Sequence, residues 1–100
     1  MPSYSVSVAH SLGQPAARQR VESFLEQVVR DYGDYVSNVE GQWTGNRLAF
    51  HLMTSGLQIS GQLTVEESLI CVTGPLPLAA VLFRGRIEQQ IRQELLRLLS

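Results

Sequence analysis

The sequence predicts an α+β fold in which about five strands form one antiparallel sheet and two helices pack on one face of it. Short runs with alternating apolar residues indicate half-buried strands, and two longer runs with an apolar residue every three or four positions indicate amphipathic helices. The order of these runs is β-α-β-β-β-β-α. Because the chain has 100 residues, a single domain over residues 1–100 is expected.

The first strand and the first helix are the clearest of these elements. Residues 3–10 alternate, with Tyr4, Val6 and Val8 on one side. Ser11 and Gln14 have the spacing of a helix capping box, and the Pro that follows suits a first helical turn. The helix then carries an apolar stripe made of Ala17, Val21, Phe24, Leu25, Val28 and Tyr32.

Four consecutive strands are predicted next, separated by turn-forming sequences. Short turns between consecutive strands predict an antiparallel meander, and alternation on one side predicts that only one face is covered. Gly61 lies on the inward face, where a missing side chain lets a helix approach closely. The place of the first strand in the sheet is left open. The predicted strands cover residues 35–43, 47–54, 57–65 and 69–73.

The C-terminal region, residues 76–99, predicts one long helix. Its central stripe residue, Ile91, is expected to be fully buried against the sheet. The stripe comprises Ala80, Phe83, Ile87, Ile91, Leu95 and Leu98. Leu78, Leu82 and Leu96 fall on another side of this helix. They form a candidate partner surface, for a second copy of the chain or for a partner protein.

Composition and charge exclude several classes of protein. The chain has a net charge of −1 and a pI of about 6.1. It therefore lacks the positive electrostatic field of a nucleic-acid-binding protein, and no nucleic-acid partner is expected. No apolar run approaches the length of a transmembrane segment, and the first ten residues lack the features of a signal peptide. The expected location is therefore the cytoplasm.

No set of residues predicts a reaction. His10 has no evident acid or nucleophilic partner, so a structural or capping role is favoured. His51 is expected to be solvated, Cys71 to be a buried and unreactive thiol, and the carboxylates of Glu66 and Glu67 to be solvated in a turn. We therefore predict no catalytic, cofactor-binding or metal-binding residues, no cofactor and no enzyme activity.

Several short sequence pieces occur in a characteristic order along nearly the whole chain. They are His10-Ser11-Leu12-Gly13 leading into Ala17-Arg18, then Trp43 with Gly45-Asn46, Leu48-x-Phe50, Gly56 and Gly61 before Leu63-x-Val65, and Ile87-x3-Ile91-x3-Leu95. In this combination the chain resembles the polyhydroxyalkanoic acid system family, small proteins associated with bacterial polyhydroxyalkanoate storage. The resemblance implies a non-enzymatic accessory protein that acts by binding at or near storage granules. It also implies a granule-associated protein as a candidate partner of the surface at Leu78, Leu82 and Leu96, and a location in the cytoplasm at the granules.

Ligand binding is an alternative hypothesis for the function. A small-ligand-binding domain would hold its ligand in an apolar cavity between the sheet and the C-terminal helix. A cavity of about 300 Å³ or more would favour ligand binding. A filled core with an exposed strip at Leu78, Leu82 and Leu96 would favour a partner surface.

Overall fold

The fold is an antiparallel sheet with helices on one face, as the sequence predicts. The computed structural model describes residues 2–31, 33–54 and 57–100. The prediction of Tyr32 in a helix stripe and of a turn at Ser55-Gly56 lies outside these residues. The elements are β1 (Ser3–Ala9), α1 (Gln14–Asp31), β2 (Val36–Thr44), β3 (Arg47–Thr54), β4 (Leu57–Val65), β5 (Leu69–Pro75), a 3₁₀ segment (Leu78–Phe83) and α2 (Arg84–Leu99).

The five strands form one sheet in the order β1-β5-β4-β3-β2. The meander from β2 to β5 is confirmed, with every pair antiparallel. The first strand pairs antiparallel with the last, from Ser3 opposite Pro75 to Ala9 opposite Leu69. The chain therefore returns to its start, which makes β1 and β2 the two edges of the sheet.

The core lies between the helices and one face of this sheet. The two helices contact each other, α2 packs on β1, and α1 contacts β4. On β1 the buried residues are the alternate ones, as predicted for a strand with one covered face. The buried apolar side chains are Tyr4, Val6, Val8, Ala17, Val21, Leu48, Leu63, Val65, Ile70, Val72, Leu76 and Leu95. Tyr35, the first residue of the predicted second strand, lies just before β2, which begins at Val36, and is 73% exposed.

The prediction of one continuous helix over residues 76–99 is wrong. The segment Leu78–Phe83 is a 3₁₀ helix, and α2 starts only at Arg84. Phe83 separates the two, with φ −106° and ψ 14°, which is outside helical geometry. Because the stripe assumed one helix axis, it fails across this break: Phe83 is 53% exposed. Ile91 is only half-buried, and Leu95 on the same helix is buried instead.

The missing side chain of Gly61 makes room for a tyrosine rather than for a helix. A Cβ atom at this position would collide with the Tyr4 hydroxyl and would lie 2.7 Å from the Thr73 carbonyl oxygen. The Tyr4 hydroxyl donates a hydrogen bond to the Ser60 carbonyl oxygen at 2.8 Å. Burial of this phenol raises the pKa of Tyr4 to about 12. The glycine thus allows an aromatic ring from β1 to cross the inner face of the sheet.

Candidate functional site

The most exposed apolar side chains lie on the 3₁₀ segment. Leu78 is 84% exposed, Leu82 is 91% exposed, and Phe83 beside them is about half exposed. We call these three residues the 3₁₀ surface. The segment is held at its start by Leu76, which is buried and whose N–H donates to the Pro2 carbonyl oxygen at 3.0 Å. Because the segment is held at its start and its side chains are exposed, it presents a small apolar surface to solvent.

Leu96, the third predicted residue, is 53% exposed on α2. All three leucines of the predicted surface are thus exposed, but Leu96 belongs to a different helix from Leu78 and Leu82. Sequence reasoning missed Phe83, which it placed in the buried stripe. Gly85, two residues after Phe83, could have signalled this exposure, because a glycine disfavours an unbroken helix at that point.

An apolar cleft lies between the two helices and the inner face of the sheet. Its volume is about 240 Å³, which is below the lower limit of about 300 Å³ for common ligand pockets. In the register of the sheet, Leu52 and Ile59 lie opposite each other on its floor. The apolar residues that line the cleft are Tyr4, Val21, Phe24, Leu25, Val28, Val39, Leu48, Phe50, Leu52, Ile59, Leu63, Val72, Ile91, Leu95 and Leu98.

Four polar residues complete the lining: Glu40, His51, Gln90 and Glu94. The side chains of Glu40 and His51 face the side of the sheet away from the helices, because their neighbours Gly41 and Phe50 face the helices. Glu94 Oε1 lies 3.7 Å from Arg97 Nη1, one helical turn along α2. Glu40 Oε2 lies 3.5 Å from His51 Nδ1 on the neighbouring strand. His51, expected to be solvated, is therefore half-buried beside a carboxylate. Of the charged residues in this lining, Glu94 is thus the one on the helix side of the sheet, and Arg97 is its partner.

His10 connects the end of β1 to the turn between β4 and β5. The Leu12 N–H donates to His10 Nδ1 at 3.2 Å, so the ring proton is assigned to Nε2. That Nε2–H donates to the Glu66 carbonyl oxygen at 3.1 Å. Both ring nitrogens are engaged with backbone groups, which is the arrangement of a structural histidine.

The β4–β5 turn stabilises the start of α1. Glu67, expected to be solvated, accepts a hydrogen bond from the Gln14 N–H through Oε2 at 3.2 Å. The predicted capping box between Ser11 and Gln14 does not form, because the Gln14 side chain donates instead to the Val65 carbonyl oxygen at 2.9 Å. A carboxylate at a helix N-terminus is favourable both as a hydrogen-bond acceptor and as a negative charge.

Cys71 is not buried in the core, contrary to the prediction. Ile70 and Val72 are buried against the helices, so the residue between them faces the opposite side of the sheet. There Cys71 is half-buried, and the Ser7 hydroxyl lies 3.4 Å from its Sγ. Within residues 2–31, 33–54 and 57–100, no group of three or more His, Cys, Asp or Glu side chains is arranged to hold a metal ion.

Residues from the characteristic sequence pieces meet where α1 passes the β2–β3 turn. The Arg18 guanidinium lies 4.3 Å from the centre of the Trp43 ring and donates to the Gly45 carbonyl oxygen at 3.0 Å. Gly45 has φ 63°, a conformation that glycine adopts without strain. Asn46 Nδ2 donates to the Val65 carbonyl oxygen at 3.0 Å. These residues stabilise a turn and a helix contact, which is a structural task.

The sequence matches a known protein family over nearly its whole length. Residues 5–99 match the family model described as "Putative polyhydroxyalkanoic acid system protein". No curated protein and no solved structure matches the chain. Among the described helices, neither is both long and apolar enough to cross a membrane. Since the family model covers nearly the whole chain, the protein belongs to the polyhydroxyalkanoic acid system protein family.

Proposed function

We propose that this protein is a non-enzymatic accessory protein of bacterial polyhydroxyalkanoate storage, and that it acts in the cytoplasm by binding to the coat of storage granules. Membership of the polyhydroxyalkanoic acid system family supports a role in polyhydroxyalkanoate storage. The single observation that supports binding is the exposure of Leu78 and Leu82 on the 3₁₀ surface, at 84% and 91%. Leu96 extends the apolar area onto α2.

The energetics of this surface favour weak, reversible association. Burying one leucine side chain contributes roughly 1.5–3 kcal/mol, so three leucines could contribute several kcal/mol. Much of this is offset by the loss of rigid-body freedom on binding. Binding should therefore depend on protein concentration and on how densely partner sites are displayed, as on a granule coat.

The test introduces a charge into the proposed contact. In Leu82→Glu, the carboxylate would have to be desolvated on binding, but it would remain in water in the free protein. We expect the variant to fold and to lose most of its co-sedimentation with isolated granules. Val29→Glu is the matched control, because Val29 is also an exposed apolar residue but lies on α1; it should co-sediment like the wild type.

Folding of both variants is checked by circular dichroism and thermal melting. If Leu82→Glu and Val29→Glu lose granule binding equally, or if neither loses it, the 3₁₀ surface is not the contact. If Leu82→Glu unfolds, Leu82 supports the fold rather than a partner.

A second candidate function is favoured by the apolar cleft. Its lining of fifteen apolar and four polar residues is typical of a site for an apolar small molecule, although the volume of the cleft is small for one. Binding of a neutral apolar dye such as Nile red to the free protein tests this candidate. A fluorescence increase that saturates at one dye per chain supports it. The two candidates are compatible, because the cleft and the 3₁₀ surface share no residue.

A further inference from the structure

We propose that the outer edge of β2 binds a second copy of the chain, and that the two β2 strands pair antiparallel about Gln42 and continue the sheet across the dimer. Residues 40–44 of each copy form the contact. This inference depends neither on the 3₁₀ surface nor on the cleft.

The two edges of the sheet, β1 and β2, differ in their backbone cover. At β1, the side chains of Glu88 and Arg92 bond outer backbone groups of Ser5 and Ser7. Among the described residues, no side chain does this along β2. Unpaired backbone groups at the edge of a sheet are a template for another strand. Of the two edges, β2 is therefore the one open to a partner strand.

The hairpin between β2 and β3 determines which backbone groups of β2 point outward. A two-residue turn follows Thr44, so Thr44 and Arg47 form a hydrogen-bonded pair. The register is regular from there back to Glu40, and bonded and non-bonded pairs alternate along an antiparallel ladder. The N–H and C=O groups of Gly41 and Trp43 therefore point away from β3. They are the groups that a second strand can bond.

Within residues 40–44, one antiparallel register uses all of these groups. It places Gly41 of one copy opposite Trp43 of the other, and repeats this pair on the far side of a twofold axis at Gln42. The register shift before Glu40 ends the regular strand on one side, and the hairpin turn ends it on the other. Gln42 is the centre of the segment between them. The hydrogen-bonding pattern and the strand limits thus give the same register.

The side chains on the helix side of the edge fit this register. A Cβ atom on Gly41 would face Leu48 and Leu25, so Gly41 and Trp43 both lie on the helix side. Trp43 is half-buried, and in the dimer its ring lies beside the glycine of the second copy, which leaves space for it. A large residue opposite a small one, twice about the axis, favours a second copy over an unrelated strand.

The side chains on the other side of the edge do not oppose the pairing. Gln42 lies opposite its own copy, and two amides can donate to and accept from each other. Glu40 lies opposite Thr44, whose hydroxyl can donate to the carboxylate. The two Glu40 residues are four positions apart along the strands, about 14 Å, which exceeds the Debye length of about 8 Å. No like charges therefore come into contact.

The contact is small, so the dimer should be weak. Five paired residues span about 17 Å, and such an edge buries less than the roughly 1,200 Å² at which specific, stable interfaces begin. A dissociation constant of about 0.1–1 mM is expected. The 3₁₀ surface stays exposed in this dimer, because Leu76 at the start of its segment bonds Pro2 beside β1, at the other edge of the sheet.

A cysteine on the proposed axis tests the register. In a Cys71→Ser background, Gln42→Cys places two thiols on a non-hydrogen-bonded pair with Cα atoms about 4.5 Å apart, within the range for a disulfide. Thr44→Cys is the matched control, because Thr44 is exposed on the same side of β2 but about 14 Å from its own copy. Under mild oxidation, Gln42→Cys should form covalent dimers roughly tenfold faster than Thr44→Cys.

A charge on the axis tests the same contact without a cysteine. Gln42→Glu places two carboxylates opposite each other, so it should raise the dissociation constant about fivefold in sedimentation equilibrium. Gln62→Glu introduces the same charge at an exposed position on the same side of the sheet, but within β4. It should change the dissociation constant less than about twofold. Leu82→Glu should leave the crosslinking rate of Gln42→Cys unchanged.

Faster crosslinking at residue 42, together with weakening by Gln42→Glu, supports the proposal. Equal crosslinking of Gln42→Cys and Thr44→Cys would contradict it, as would a wild type that stays monomeric at about 1 mM. If Leu82→Glu abolishes the crosslink, self-association occurs through the 3₁₀ surface and the assignment to β2 is wrong. Circular dichroism checks folding, and if one Gln42 variant does not fold, the other decides the question.

Discussion

The inner face of the sheet has two parts that differ sharply in how they are covered. The closed half is fully buried under the helices and consists of Val6, Val8, Leu63, Val65, Ile70 and Val72. The open corner is apolar too but only half-buried, and consists of Val39, Phe50, Leu52 and Ile59. Similar side chains on one face thus have different environments, so the alternation of apolar residues predicts direction but not burial.

The widths of the elements explain this difference. A helix is about 10 Å across and strands lie about 4.8 Å apart, so one helix covers about two strands. Here α2 lies on the edge strand β1, and α1 contacts β4. Two helices that start from the β1 edge cover about four of the five strands. The cover therefore ends before β2, and the open corner becomes the floor of the cleft.

The two edges of the sheet also differ in how α2 covers their backbone groups. At β1, the Ser5 N–H donates to Glu88 Oε2 at 2.9 Å, and Arg92 Nη1 donates to the Ser7 carbonyl oxygen at 3.0 Å. Both side chains come from α2, which thereby satisfies two of the outer backbone groups of this edge. Along β2, no side chain of the described residues bonds the outer backbone groups. Helix α2 thus protects one edge as well as one half of the core.

The largest expected effect compares one isoleucine in each part. Ile70 is fully buried in the closed half, so Ile70→Ala should lower the free energy of unfolding by about 2–5 kcal/mol. Ile59→Ala in the open corner should cost about 1 kcal/mol, because part of that side chain already contacts solvent. Urea denaturation measures both. Equal costs would show that the open corner is packed as tightly as the closed half.

A second comparison uses two glycines with different surroundings. Gly61→Ala should cost about 1–3 kcal/mol, since its Cβ would collide with Tyr4 and lie 2.9 Å from the Phe50 ring. Gly85→Ala, with nothing within 4 Å, should stabilise α2 by about 0.5 kcal/mol. Thermal melting of the two variants should shift in opposite directions. A neutral Gly61→Ala would mean that Tyr4 can move without loss.

The free energy of unfolding at alkaline pH should depend on Tyr4 and not on Tyr35. The pKa of Tyr4 is raised from 10.0 to about 12 in the folded protein, so its contribution to stability is complete below pH 10 and is lost as pH rises toward 12. Stability measured by urea at pH 9 to 12 should therefore fall. Tyr4→Phe should remove much of this fall, at a cost of about 1 kcal/mol for the lost hydrogen bond. Tyr35→Phe, at an exposed position, should leave the fall unchanged. An identical fall in Tyr4→Phe would contradict the assignment.

The smallest expected effect concerns the adjacent carboxylates of the β4–β5 turn. Glu67→Ala removes the acceptor of the Gln14 N–H and should cost about 0.5–1 kcal/mol. Glu66→Ala should be close to neutral, because His10 contacts its backbone oxygen rather than its side chain. The difference should appear in thermal melts at low salt and shrink at high salt. Equal shifts would mean that Glu67 does not cap α1.

Most of the fold could be predicted from local patterns, and most of the site could not. Strand limits followed from alternation, and exposure of Leu78, Leu82 and Leu96 followed from their position outside the stripe. The cleft depends on residues from seven separate elements. Its volume is the space that remains after those elements pack, and no local pattern measures it. Phe83 was misplaced because a 3₁₀ turn and an α-turn cannot be told apart from apolar spacing alone.

Local residue patterns were enough to predict the order of the elements, the inward face of β1 and the family, because these depend on neighbouring residues and on the order of short pieces. Three features emerged only from the packed fold: β1 pairs with β5, Cys71 faces away from the helices, and Glu67 caps α1. The same holds for the partial exposure of Ile91. Each of these joins residues far apart in the chain or depends on how far a helix extends over a sheet. Such relations are set by the packing of whole elements, which competes with local preference and here overrides it.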